Sequence, residues 1–157
     1  MPKEKKTRKY TATTVPFYST RGPYGCFSNF SRHPVTIDKV VFQSSEHFYQ
    51  SKKVRDQVEA RHIARASTPT EAKKRGSECK LREDWDQIKE DVMREVLRAK
   101  FTQHSDIRGV LIGTGTKRLV EASPTDAYWG EGKDGNGKNR LGELLMELRQ
   151  ELSTEKK

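Results

Sequence analysis

Residues 85–101 constrain the fold more than any other segment. Trp85, Ile88, Val92, Val96 and Phe101 recur at close to helical spacing, and Asp84 stands where a helix cap belongs. A run of that length with one apolar stripe is a long helix, and its stripe must be buried. The C-terminal stretch has the same character, with Leu141, Leu144, Leu145 and Leu148 on one face of a helix expected over 140–152. Shorter helices are expected over 45–54, capped by Ser44 or Ser45, and over 57–66. Two more are expected over 71–78, with Thr70 as cap and Gly76 near the end, and over 106–112, after Ser105 and stopping at Gly113. Val35-Thr36-Ile37 and Val40-Val41-Phe42 are β-branched and aromatic runs around Asp38-Lys39, which reads as a short hairpin. Residues 119–123 read as a further strand. The expected fold class is therefore α+β, a single compact, mostly helical domain with a small β-sheet.

Composition narrows the class. The chain has 157 residues, enough for one domain. Hydrophobic residues are 32% and charged residues 34%, so the core is lean. Two Trp, five Tyr and six Phe at regular spacing nevertheless argue against a disordered chain. Cys26 and Cys79 are too few for a disulfide framework or a four-ligand zinc site and read as reduced thiols. No apolar run approaches the roughly 20 residues of a membrane helix, and the N-terminus has no secretory h-region. The expectation is a cytoplasmic protein without a membrane partner.

The formal net charge of +9 invites a phosphate-bearing partner, and its placement matters more than its sum. Residues 1–9 hold five basic residues and one acid. Residues 52–82 hold ten basic residues and four acids, whereas 83–152 are net acidic. Residues 1–14 read as a disordered basic arm, 15–152 as the folded domain and 153–157 as a polar tail. The charge thus points to a phosphate-attracting side of a cleft, with an arm able to add weak, salt-sensitive nucleic-acid contact.

Three segments could carry chemistry. In the first, Glu46, Gln50 and Lys53 stand at i, i+4 and i+7, one face of a helix. A carboxylate and an amine two turns apart can act as base and nucleophile. The same spacing also fits a capping Glu and a solvated Lys. The second segment is 123–132, where Tyr128 and Trp129 flank Asp126 in a glycine-rich loop; it could stack a base and read ribose hydroxyls, or be a surface loop with Trp129 in the core. The third is Tyr24-Gly25-Cys26-Phe27-Ser28-Asn29-Phe30, either a ring-binding surface or a structural turn. His47, His62 and His104 lack metal-ligand spacing and read as surface or packing residues. Asp134-Gly135-Asn136-Gly137 lacks the later bidentate Glu of a calcium loop. No metal or cofactor is assigned.

The order of the segments is more specific than any one of them. Tyr24-Gly25-x-Phe27-Ser28-Asn29-Phe30 is followed by Ser45-Glu46-His47 with Phe48-Tyr49-Gln50 and Lys53, then Trp85 and Met93, then Lys100-Phe101-x-Gln103. Gly113-Thr114-Gly115, residues 119–123, Asp126, Trp129-Gly130 and Asp134-Gly135-x-Gly137-x-Asn139-x-Leu141-Gly142 complete the series. This resembles the NADAR (NAD- and ADP-ribose-associated) family of N-glycosidases, over roughly residues 17–152. Ser51-Lys52 departs from the Ala-Gln pair common before the family's lysine. Helical phase still selects Lys53, since Lys52 lies about 100° around the helix.

The resemblance implies hydrolysis of an N-glycosidic bond between ribose and a nucleobase-like amine. It implies Glu46, Lys53 and Asp126 as catalytic residues, with Lys53 forming a Schiff base. It also implies Phe27, Ser28, Asn29, Gln50, Trp85, Trp129, Gly130 and Asn139 as substrate-binding residues. Two substrates follow from it: ADP-ribosylated guanine, in nucleic acid or nucleotides, and ribosylamino-pyrimidine phosphates of riboflavin biosynthesis. A non-catalytic ADP-ribose-binding module is the third reading.

Overall fold

The computed structural model describes residues 10–155. In chain order they form β1 (Thr14–Phe17), a 3-10 turn (Gly25–Phe27), β2 (Val35–Ile37) and β3 (Val40–Phe42). Then come α1 (Ser45–Ser51), α2 (Gln57–Ala64), α3 (Pro69–Glu78), α4 (Trp85–Gln103), α5 (Ser105–Gly113), β4 (Arg118–Glu121) and α6 (Arg140–Thr154). The class is α+β, as expected. No helix among the described residues is long and apolar enough to cross a membrane.

Local chemistry sets the helix starts. The Ser44 hydroxyl accepts from the His47 peptide nitrogen, and the Asp56 carboxylate accepts from Val58 and Glu59. α3 begins at Pro69, one residue before the expected cap. Proline lacks an N–H and presets φ, so it suits the first helical position and moves the cap back to Thr68, whose hydroxyl accepts from Glu71 N. Asp84 flanks α4 without capping it, because Arg82 takes both its carboxylate oxygens at 2.6 and 3.1 Å.

The expected small sheet is two separate ladders. β2 and β3 pair antiparallel in the register Val35↔Phe42, and Asp38 and Lys39 both have positive φ, which suits a tight two-residue hairpin turn. β1 pairs parallel with β4, from Thr14↔Arg118 to Phe17↔Glu121. Such pairing joins distant parts of the chain, so no local pattern announces β1. Of the arm expected over 1–14, residues 1–9 lie outside the described residues. Tyr10 is described, and its hydroxyl donates to Glu131. Of the expected tail, 153 and 154 complete α6, and 156 and 157 lie outside the described residues.

The main core gathers Phe27, Phe48, Met93, Leu97, Phe101, Leu111, Leu119 and Leu145, all buried, from α1, α4, α5, β4, α6 and the 3-10 turn. α6 lies so close on β4 that a Cβ at Gly142 would stand 2.2 Å from the Leu119 carbonyl oxygen. A smaller cluster of Val54, Ile63, Ala66 and Ala72 seats α2 and α3.

Within this core lies one amine. Lys100 is fully buried and donates to the Ser28 carbonyl at 2.9 Å. Burial lowers its pKa from 10.5 to about 7. Between those values the unfolded chain binds the proton that the folded one releases. Lys100 therefore adds a stability term that is full above about pH 10.5 and lost as pH falls toward about pH 7. Lys100→Met is expected to remove that slope, which unfolding midpoints measured across this window would check.

Candidate active site

A cleft of about 380 Å³ opens between α1, α3, the start of α4, the end of β4 and the loop after it. α1 is its floor, and all seven of its residues are buried. Glu46, Tyr49, Gln50 and Lys53 point into the cleft, as positions i, i+3, i+4 and i+7 should. The helix ends at Ser51, earlier than expected. A tightened last turn, with Lys53 N donating to Gln50 O at 3.2 Å, keeps Lys53 on the same side. Lys52 goes the other way, its ammonium 5.1 Å from the Phe48 ring centre, and lines a separate groove of about 500 Å³.

Glu46 is 6% exposed, accepts from Gln50 Nε2 at 2.7 Å, and its peptide nitrogen donates to Asn29 O at 3.1 Å. Burial pushes its carboxyl above the ordinary range, against the pull of Gln50, Lys73 and Lys53. Lys53 is pushed the opposite way: burial lowers it, while Glu46 and Asp126 draw it back up. Its ammonium lies 5.5 Å from the Tyr49 ring centre. Gln50 packs beneath α3, where a Cβ on Gly76 would stand 2.1 Å from its Oε1. His47, one residue on, faces away from the chemistry. Its Nε2 reaches Ala66 O at 2.9 Å and its Nδ1 reaches Ser44 Oγ at 2.7 Å. A carbonyl only accepts, so Nε2 carries the proton and Nδ1 accepts from the hydroxyl.

The opposite wall is the loop over 122–139, which internal hydrogen bonds order. Asn139 N donates to Gly130 O and Leu141 N to Trp129 O, each at 3.0 Å, and Lys138 N to Ala127 O at 2.8 Å. Asp126 Oδ1 accepts from Tyr128 N at 2.9 Å and Trp129 N at 2.8 Å, which leaves Oδ2 for the cleft. Trp129 Nε1 donates to the Tyr49 hydroxyl at 3.0 Å. The Tyr49 ring stands edge-on to Trp85 and Trp129, with centres 5.2 and 5.7 Å apart, and the three form an aromatic wall. Burial raises the Tyr49 hydroxyl's pKa. Behind the loop, Tyr128 and Arg140 both bond Glu90, holding its carboxyl down at about 2.

Eight of the eleven residues singled out from the sequence meet in this cleft: Glu46, Lys53, Asp126, Ser28, Asn29, Gln50, Trp85 and Trp129. Three do not line it. Phe27 has no exposed surface and is ringed by Phe17, Tyr24 and Phe101, at 5.6, 5.7 and 6.0 Å between centres. Asn139, at φ +50°, bolts the loop to β4: its Oδ1 accepts from Glu121 N and its Nδ2 donates to Leu119 O, both at 2.9 Å. Gly130 lies behind Glu121, where a Cβ would stand 2.7 Å from Oε2. All three support the site from outside.

The cleft also holds residues the sequence reading did not assign. Tyr49 carried a usable signal, since it shares the helical face of Glu46 and Lys53. Lys73 comes from α3 and Lys89 from α4; Lys89 Nζ sits 3.8 Å from the Tyr128 ring centre. Glu121 ends β4 and had no local signal. Burial, with Asp126 and Glu46 nearby, raises its carboxyl to about 7. Three buried polar atoms around the cleft have no partner among the described residues: Asn29 Oδ1, Gln50 Oε1 and Glu121 Oε2. Among buried polar groups that is exceptional; Gln50 Oε1 faces Gly76, and Glu121 Oε2 faces Gly130.

Known proteins are similar to this chain in sequence and fold. N-glycosidase YbiA of Escherichia coli is 47% identical over 146 residues, which span 92% of this chain and 91% of that protein. The NMR structure of E. coli YbiA aligns with a TM-score of 0.85 at 44% identity, covering 96% of this chain and 91% of that one. The chloroplastic riboflavin biosynthesis protein PYRR of Zea mays is 36% identical over 91% of this chain, which matches 26% of that longer protein. The NADAR domain matches residues 16–153. With nearly its whole folded length matched, the chain belongs to the NADAR domain family.

Proposed function

We propose that this protein is an N-glycosidase that removes ADP-ribose from ADP-ribosylated guanine, in nucleic acid or in nucleotides. One observation carries the reading: a buried carboxylate, Glu46, and a lysine with lowered basicity, Lys53, share a cleft with Asp126 and an aromatic wall. The curated name of YbiA, an N-glycosidase, supports the bond type.

In this reading the base stacks on Trp85 and Trp129, the Asn29 amide binds ribose hydroxyls, and Gln50 holds the Glu46 carboxyl toward the same ribose. The free oxygen of Asp126 faces the same ribose. Lys73 and Lys89 at the rim meet the phosphates. The neutral Lys53 amine attacks C1″ as the C1″–N bond breaks and its electron pair leaves with the base nitrogen, and Glu46 takes the proton that the amine sheds. The ring opens to a Schiff base, which water hydrolyses to free ADP-ribose. A carboxylate near C1″ also stabilises the oxocarbenium-like centre. The basic arm would add weak contact with longer substrates.

Incubation with an oligonucleotide bearing ADP-ribosylated guanine is expected to yield unmodified guanine and free ADP-ribose by mass. Borohydride added during turnover is expected to leave a covalent adduct on Lys53. The maize relative's name favours a second reading, a ribosylamino-pyrimidine phosphate as substrate. Cleavage of that compound, with none of the guanine adduct, would select it. Binding of ADP-ribose with hydrolysis of neither would leave a binding module.

A further inference from the structure

We infer that Glu121 is a further catalytic residue, the acid that protonates the departing base nitrogen. The inference rests on the N-glycosidase reading and assigns it a proton donor. Four carboxyl groups line the cleft; Asp86 is exposed at the rim and paired with Lys89, and the protein treats the three deeper ones differently. Glu46 receives a hydrogen bond from Gln50 Nε2, and Asp126 receives two from peptide nitrogens. Each of those donors stabilises the ionised form. The Glu121 side chain receives none among the described residues, and its Oε2 is buried without a partner. The charged groups facing it are Asp126 from the loop, Glu46 from α1 and Lys73 from α3, two acids against one base. Burial favours the protonated form of Glu46 as well, but there Gln50, Lys73 and Lys53 oppose it, whereas at Glu121 only Lys73 does.

The position is held, not incidental. Glu121 closes β4, and its backbone is gripped on both sides: its N–H donates to Asn139 Oδ1 and its carbonyl accepts from Glu131 N, both at 2.9 Å. Gly130 leaves room for the carboxyl; any side chain there would strike it. Burial raises its pKa to about 7, so near neutral pH it is both a donor and a recoverable one.

The step balances. The Glu121 carboxyl gives its proton to the base nitrogen as the C1″–N bond breaks, and the bonding pair stays on that nitrogen. The lone pair of neutral Lys53 forms the new bond to C1″. Glu46 accepts the proton released from the resulting ammonium. Water then cleaves the lysine adduct, so the net reaction is substrate plus water to free base plus ADP-ribose.

A leaving group that needs no proton separates this role from a structural one. Glu121→Gln keeps the shape and removes the acid. It is expected to lower kcat on ADP-ribosylated guanine by about 10²–10³-fold. On a 4-nitrophenyl ribosyl analogue, whose phenolate departs unaided, it is expected to stay within about threefold of the parent. The ratio of the parent's rate to the variant's is expected to fall as pH rises through about 7, since only the parent loses an acid there. Equal losses on both substrates, or a ratio that does not change across that range, overturn the assignment. A parent protein that cleaves no ribosyl amine overturns the N-glycosidase reading itself, and the role of Glu121 with it. If the variant fails to fold, the Glu121 Cδ chemical shift of the ¹³C-labelled parent is decisive. A midpoint near pH 7 supports the proposal, and one in the ordinary carboxyl range overturns it.

Discussion

Replacing Lys53 by alanine is expected to lower kcat by about a thousandfold or more, with little change in stability, because it removes the proposed nucleophile. The side chain is half-buried, makes no hydrogen bond that holds the fold, and reaches into the cleft beside the Tyr49 ring. Burial lowers its pKa, so a larger share of the amine is neutral and nucleophilic than on an exposed lysine. In Glu121→Gln, where no acid is lost in the same range, the rate should therefore rise with pH until the amine is fully neutral. Lys53→Arg is expected to be equally inactive, since a guanidinium does not deprotonate. Borohydride trapping should be lost in both variants. Lys52→Ala is the control: its ammonium lies over Phe48 on the far side of α1, and near-parental turnover is expected. A Lys53→Ala protein with undiminished turnover would end the covalent mechanism.

Phe27→Ala is expected to cost about 3–5 kcal/mol of stability, the usual range for emptying a fully buried phenylalanine. Phe27 touches Phe17 of β1, Phe101 of α4 and Tyr24, and so sits where the N-terminal strand, the longest helix and the 3-10 turn meet. For a chain of this size each kcal/mol moves the midpoint by about 2–4 °C, so a fall of about 10 °C is expected. Enzyme that remains folded should keep its KM, because Phe27 does not line the cleft. A variant of unchanged stability and raised KM would instead place Phe27 against substrate.

The same contrast between neighbours in sequence and neighbours in space explains what could be read in advance. Every expected helix is present because capping and apolar spacing are local. Ser44 and Asp56 act within their own first turns, and the stripe from Trp85 to Phe101 is set by the 3.6-residue period. Boundaries moved where a second local preference competed. Pro69 drew the start of α3 back to itself, with Thr68 as cap; at α4, Arg82 took the Asp84 side chain from its cap without moving the start from Trp85. β1 was not legible, because its partner β4 lies far along the chain and contributes half of the ladder.

The basic stretch 52–82 makes the point at the site. Read as charge, it is one patch. In the structure Lys53 and Lys73 enter the cleft, while Lys52, Arg55, Arg61 and Arg82 line the groove on the other side of α1. Arg55 and Arg82 are also occupied by Glu83 and Asp84.

Sequence alone determined the helices, the α+β class and the shared face of Glu46, Gln50 and Lys53, since these depend on spacing within a few turns. Motif order added Asp126 and the two tryptophans. Only the tertiary structure decided which residues meet. The parallel β1–β4 ladder and the Asn139 bolt carry Glu121 to the cleft, and the packing of Phe27 withdraws that ring into the core. It also decided the protonation of the carboxyls. Burial and unpaired oxygens depend on what surrounds a group from every side, and adjacent residues supply only a small part of that shell.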